Sequence, residues 1–181
     1  MSIDDPFREI ENALPRLISE PAYDKENFWA AEWTPRIKNT LAEIGFRRGH
    51  SVWASGLTER DTGETRVVNQ EWLFDLIWID YCGRGITRRF KEMPLAAESE
   101  MGPWHEVIDD FEKLIVASTD YKVMLFHASD TENAVKRCDE LVEIEAAFAG
   151  PRTRSEYLLA CLAWKDGEFV VKRFPATERK K

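Results

Sequence analysis

Asp75, Glu98 and Glu100 are the residues of this 181-residue chain whose types and spacing best suit chemistry. Asp75 lies in Trp72-Leu73-Phe74-Asp75-Leu76-Ile77-Trp78, where both alternating faces are apolar, as in a strand covered on both sides. A carboxylate there is poorly hydrated and must be protonated, paired or bound to a metal. Glu98 and Glu100, in Ala96-Ala97-Glu98-Ser99-Glu100, stand two residues apart at a strand end and so project from one face. Three converging carboxylates repel one another. A hard divalent cation with oxygen ligands is the ordinary way to hold them together near neutral pH, and Mg²⁺ or Mn²⁺ is the natural choice. The plainer reading pairs Asp75 with a buried Arg and leaves both glutamates at a solvated strand end.

The elements that must position these groups follow from periodicity. Asp5-Pro6 predicts a helix start, with Phe7, Ile10, Leu14, Leu17 and Ile18 on one face and Pro15 kinking or ending it. Thr34-Pro35 repeats the cap-then-proline pattern ahead of an Ile37, Leu41, Ile44 stripe that stops before Gly45. Ser51 to Leu57 and Thr65 to Tyr81 flank a turn at Asp61-Thr62-Gly63, predicting a hairpin with a long second strand. Gly83-Arg84-Gly85 then turns into a third strand ending at Leu95 to Glu100.

Beyond Gly102-Pro103, the residues Val107, Ile108, Phe111, Leu114 and Ile115 carry helical periodicity. Tyr121 to His127 reads as a strand. Ser129 and Glu132 make a capping box for a helix running to Gly150-Pro151, and a hairpin through Asp166-Gly167 joins Tyr157–Trp164 to Phe169–Phe174. The alternation predicts an α/β fold, a mixed central β-sheet flanked by helices. It is expected as a single domain over 1–181, with a helical extension at 1–33, a core at 34–127, and a helix plus hairpin at 128–175.

Composition narrows the function. A hydrophobic content of 44% with few Gly and Pro excludes disordered and collagen-like classes. No apolar run approaches the ~18 residues of a membrane span, and Met1-Ser2-Ile3-Asp4-Asp5 is acidic, so a soluble cytoplasmic protein is expected, without membrane partners. Cys82, Cys138 and Cys161 lack metal or disulfide spacing and are expected reduced and buried. A net charge of -8 argues against non-specific coating of nucleic acid. His50, His105 and His127 show no ligand spacing, and Gly83-Arg84-Gly85 reads as a turn rather than a nucleotide loop. Trp72 and Trp78 are expected in the core, and Trp104 and His105 at a site mouth.

The order helix, three antiparallel-reading strands, helix, strand, with Asp on the second strand and Glu-x-Glu on the third, resembles the PD-(D/E)xK nuclease superfamily, the restriction endonuclease-like fold. The resemblance spans about residues 34 to 127 and rests on the Asp75 segment, Ala96-Ala97-Glu98-Ser99-Glu100 and the Val107 to Ile115 helix. It implies metal-dependent phosphodiester hydrolysis of DNA, as an endonuclease or exonuclease. Asp75 and Glu98 would bind Mg²⁺ or Mn²⁺, the Ser99 carbonyl would be a third oxygen ligand, and Glu43 would be the assisting acid on the first helix.

One departure is plain: Glu100 stands where most members carry Lys. Lys113, on the following helix, is the transplanted alternative, but a helical projection places it far round from the apolar stripe, so Glu100 is favoured. Arg47, Arg48, Arg84, Arg88 and Arg89 are the candidates for phosphate contact around the cleft. The competing reading is a non-catalytic scaffold of the same fold that binds a protein partner or small ligand, with a symmetric homodimer surface.

Overall fold

The computed structural model describes residues 5–19, 30–57, 60–62, 65–70, 72–151 and 154–177. In chain order the helices are α1 (Pro6–Ser19), α2 (Ala30–Arg47), α3 (Trp104–Val116) and α4 (Thr131–Ala147). The strands are β1 (Ser51–Ala54), β2 (Arg60–Thr62), β3 (Thr65–Val68), β4 (Leu76–Cys82), β5 (Arg89–Ser99), β6 (Tyr121–Ala128), β7 (Glu156–Ala163) and β8 (Glu168–Pro175).

Among the described residues eight strands form one mixed sheet in the order β2-β3-β1-β4-β5-β6-β7-β8. The pairs β1–β4, β4–β5, β2–β3 and β7–β8 are antiparallel, whereas β1–β3, β5–β6 and β6–β7 are parallel. The parallel joins between β5, β6 and β7 are made through α3 and α4, the crossovers that such pairs require.

Side-chain alternation divides the core between the two faces of the sheet. Leu76, Trp78, Leu95 and Ala97 pack with α1 and α2, while Ile77, Ile79, Ala96 and Met124 pack with α3 and α4. This double cover explains the unbroken apolar run in β4. α2 sits so close to β4 that a Cβ added at Gly45 would lie 2.4 Å from Trp78 Nε1, and that indole N–H donates to the Leu41 carbonyl at 3.2 Å.

Several local expectations are corrected. α1 runs through Pro15, which faces solvent, because Leu14 and Leu17 on either side are anchored in the core. Its start is as expected, with Asp5 Oδ1 accepting the Phe7 N–H at 3.0 Å. α2 likewise contains Pro35 instead of beginning there, since buried Trp33 and Ile37 hold the turns on both sides of it.

The Thr65–Tyr81 stretch is two strands. After Val68 the chain leaves the sheet, Asn69 Oδ1 accepts the Gly56 N–H at 2.8 Å, and Leu73 takes a φ of 66° before β4 begins. β1 therefore lies between β3 and β4. Trp72 and Cys82 are exposed, contrary to expectation, while Trp78, Cys138 and Cys161 are buried and all three cysteines are free. The cap of α4 is Asp130, which accepts the Asn133 N–H at 2.9 Å, and that helix ends at Ala147. The expected hairpin is corrected too, since β3 runs parallel to β1 and pairs antiparallel with β2, which contains Asp61 and Thr62 of the predicted turn, while Gly63 lies outside the described residues.

Candidate active site

The antiparallel register of β4 and β5 sets Leu76 opposite Ala97, so Asp75, which is partly exposed just before β4 and not within the covered strand as expected, meets Glu98 of β5 at one end of the pair. The Asp75 N–H donates to Glu98 Oε2 at 3.2 Å, and the Ser99 N–H donates to Asp75 Oδ2 at 2.9 Å. Each carboxylate is thus fixed partly by the other's strand.

Two lysines supply the opposing charge. Lys38 of α2, itself buried, brings Nζ to 2.7 Å from Asp75 Oδ1 and donates to Ser55 Oγ at 3.1 Å. Lys113 of α3 stands 2.8 Å from Glu98 Oε1 and 3.0 Å from Asp110 Oδ1. The buried Arg of the plainer sequence reading is replaced by these lysines. α2 meets Asp75 through Lys38, whereas Glu43 lies five residues on, about 140° round the helix.

Glu98 is 1% exposed, and its pKa is pushed up to about 7. Burial is the main cause, the charges of Asp75 and Asp110 add to it, and the bond from Lys113 only partly offsets them. For Lys113, burial opposes the charged form, but the bonds to Glu98 and Asp110 outweigh it and hold the pKa above the usual lysine value. A helical projection sees only where the Lys113 backbone sits; a half-exposed lysine can arch its aliphatic stem over its neighbours and place the ammonium at the sheet edge.

Glu100 accepts the Gly102 N–H. Its pKa is also raised, chiefly by burial, with Asp110, Glu106 and Asp75 adding to the effect. A Cβ on Gly102 would lie 2.6 Å from both Glu100 Oε1 and Glu106 Oε2, so these two carboxylate ends converge over Gly102. Nearby, Trp104 packs against Phe126 with the Arg137 guanidinium 4.9 Å from its ring, and His105 is exposed beside Glu106.

The five arginines proposed for phosphate contact lie elsewhere. Tyr81, beside which Arg88 sits, is six residues along β4 from Asp75, about 20 Å at the rise of a strand. Arg47 and Arg48, at the end of α2, contact Glu9 at 3.5 and 2.6 Å. Arg88 donates to Ser51 Oγ at 2.7 Å, and Arg89 donates to the Ile86 and Arg88 carbonyls. Arg84 leads the short turn Gly85–Thr87 between β4 and β5. They surround the opposite end of the strand pair, together with His50, which contacts Asp80 at 2.7 Å and stacks on Trp78.

Among the described residues no group of three or more His, Cys, Asp or Glu side chains is placed to hold a metal ion, and no helix is long and apolar enough to cross a membrane. Mg²⁺ at Asp75 and Glu98 would have to take the place of the Lys38 and Lys113 ammonium groups, which now engage one oxygen of each carboxylate. That ion ordinarily takes one or two protein carboxylates and completes its shell with water and substrate phosphate, and a desolvated Glu98 gains most from a nearby cation. Comparison with known proteins finds no protein-family model, no curated protein and no solved structure that matches this chain.

Proposed function

We propose that this chain hydrolyses phosphodiester bonds in DNA with Mg²⁺ or Mn²⁺, using Asp75 and Glu98 as metal ligands in a fold of the PD-(D/E)xK type. The observation that carries this reading is the juxtaposition of Asp75 and Glu98 at one end of two adjacent antiparallel strands, with an ammonium group from the following helix against Glu98. The succession α2, β1, β4, β5, α3, β6, with the four strands neighbours in that order, supports it.

A bound Mg²⁺ supplies Lewis acidity, polarising the phosphate and lowering the pKa of an attacking water. The protein groups have separate tasks. Asp75 and Glu98 present hard oxygen donors, with the Ser99 carbonyl as the further ligand this reading assigns. Lys113 is the group suited to stabilise charge developing on the phosphate, because its ammonium is held at Glu98 and stays protonated at neutral pH. Lys38 orients Asp75 from the opposite face. Glu100 is assigned to water orientation or to a second cation together with Glu106, and Glu43 has no assigned step.

Calorimetric titration of Mn²⁺ and Mg²⁺ into wild type, Asp75→Asn and Glu98→Gln tests the site, alongside cleavage of plasmid DNA. Heats in wild type that vanish in both variants are expected. Equal heats in all three proteins, or none at millimolar metal, overturn the reading.

A second reading is favoured by the lysines themselves, which already give both carboxylates a counter-charge. In it the pair is a structural lock, and the chain is a scaffold that recognises a partner or a second copy of itself. Loss of a metal-dependent activity of the pure protein in Glu98→Ala excludes it.

A further inference from the structure

At the end of the β4–β5 pair remote from Asp75, a cavity of about 450 Å³ opens between the start of β1 and the turn that joins the two strands. Its lining includes Ser51, Asp80, Tyr81, Arg84, Arg88 and Lys91, three cations against one acid, and that acid is engaged by His50. The Arg88 guanidinium carbon stands 3.6 Å from the centre of the Tyr81 ring, and one of its nitrogens is bound to Ser51 Oγ. A guanidinium carries five N–H donors in a planar fork, so this contact orients Arg88 and leaves donors for an oxyanion. Lys91 is exposed and shares its charge with Glu92.

The cavity and the acidic site lie on one face of the sheet. Tyr81 packs with the cluster beneath α3 and α4, and Glu98 meets Lys113 of α3. Beside the cavity Phe90, opposite Tyr81 in register, meets Trp72 edge-to-face at 5.9 Å, and the two residues are 52% and 43% exposed. Exposed aromatic rings beside fixed cations suit a polymer that carries both phosphates and stacking or sugar surfaces.

We propose that the Arg84–Arg88–Lys91 cavity is a phosphate subsite for a DNA strand whose scissile bond lies at Asp75 and Glu98. The identity of the polymer rests on the nuclease reading; the anion site rests on the cavity itself. A separation of about 20 Å, taken along the axis of a duplex, corresponds to an advance of about six base pairs. The basic residues are therefore an anchor remote from the acidic centre, and they supply local attraction for a polyanion on a protein whose net charge is -8.

The test is fluorescence anisotropy with an end-labelled 20-base-pair DNA duplex, without Mg²⁺ and then with Ca²⁺, at several salt concentrations. Wild type is compared with Arg84→Ala, Arg88→Ala, Arg88→Lys and Lys91→Ala, with urea midpoints to verify folding. Arg84→Ala and Arg88→Ala are expected to weaken binding by about tenfold each, the scale of a charged hydrogen bond, and to lower the slope of log Kd against log salt by about one. Arg88→Lys is expected to retain the slope and lose part of the affinity. Lys91→Ala, at an exposed strand position, gives a smaller loss in a protein whose fold is undisturbed.

Unchanged affinity and slope in all four variants overturn the subsite, even where the wild type cleaves DNA. Arginine-dependent binding by a protein that never cleaves with Mg²⁺ or Mn²⁺ upholds the subsite and overturns hydrolysis. A wild type that binds no duplex in either condition overturns both.

Discussion

Lys38 Nζ lies 2.7 Å from Asp75 Oδ1, although one residue stands in α2 and the other just before β4, with 36 residues of chain between them. Lys38 is only 7% exposed, so its charge is tolerated because Asp75 and Ser55 face it. Asp75→Ala should therefore destabilise the protein by about 3 kcal/mol, by stranding a buried ammonium. Lys38→Met combined with Asp75→Asn should recover most of that loss. Urea unfolding of the two single variants and the double gives the coupling; additive losses would show that the pair is not a unit.

Glu98 governs a pH dependence whose sign follows from its burial. Its folded pKa, about 7, lies above the ordinary 4.5, so the folded state binds the proton more tightly than the unfolded state. The Glu98 contribution to stability is complete below pH 4.5 and is lost as pH rises to about 7. Integrated over that interval it amounts to about 3 kcal/mol. Glu98→Gln should flatten this part of the stability profile in urea titrations between pH 4.5 and 8. In wild type, metal affinity should rise with pH up to about 7, since the cation must displace the proton. A metal affinity flat across that interval would detach Glu98 from the cation.

Much of the scaffold was legible because burial writes itself into periodicity. Val107, Phe111, Leu114 and Ile115 marked α3, and the doubly apolar Leu76 to Ile79 marked a central strand, as both proved to be. Asp75 stood out as a carboxylate in such a run, and Glu98 as its same-sheet partner; their adjacency follows from antiparallel register. Of the counter-ions, Lys113 was singled out but set aside on its helical position, and Lys38 was not legible. A lysine's ammonium is displaced from its backbone by a long flexible stem, so Lys38 and Lys113 could not be placed by counting along a helix. The break after Val68 was equally hidden, because it depends on Asn69 bonding Gly56 thirteen residues earlier and on a positive φ at Leu73, a residue type that ordinarily avoids one. Arg84, Arg88 and Arg89 lie at the far end of β4 simply because they follow Cys82, whereas placing Arg47 and Arg48 required knowing which way α2 runs across the sheet.

Gly45 offers a test of packing independent of the site. Its missing side chain is the space occupied by the Trp78 indole, with Nε1, Cε2 and Cδ1 at 2.4, 2.6 and 2.7 Å from an added Cβ. The indole cannot retreat easily, because Trp78 is 1% exposed and its N–H is committed to Leu41. Gly45→Ala, normally favourable within a helix, should here destabilise by about 1–3 kcal/mol. Thermal unfolding monitored by tryptophan fluorescence measures it, and a stabilised variant would mean that α2 can lift from β4 freely.

The choice between Lys113 and Glu100 as the second functional group beside the metal ligands is decided by kinetics. Lys113 holds its ammonium at Glu98 Oε1, whereas Glu100 is engaged by the Gly102 N–H and crowded by Glu106. If Lys113 stabilises charge on the reacting phosphate, Lys113→Met should lower kcat by about 10²–10³, the range seen when one such donor is removed, with little change in DNA affinity. Glu100→Gln should cost less, and its effect should fall away at high metal concentration if its task is to help hold a second cation. Manganese titration separates a structural effect from a chemical one, because a Lys113→Met protein that binds Mn²⁺ as wild type does has retained the metal pair. Loss of kcat confined to Glu100→Gln, with Lys113→Met fully active, would transfer the assignment to the carboxylate and leave Lys113 as a counter-ion that keeps buried Glu98 in place.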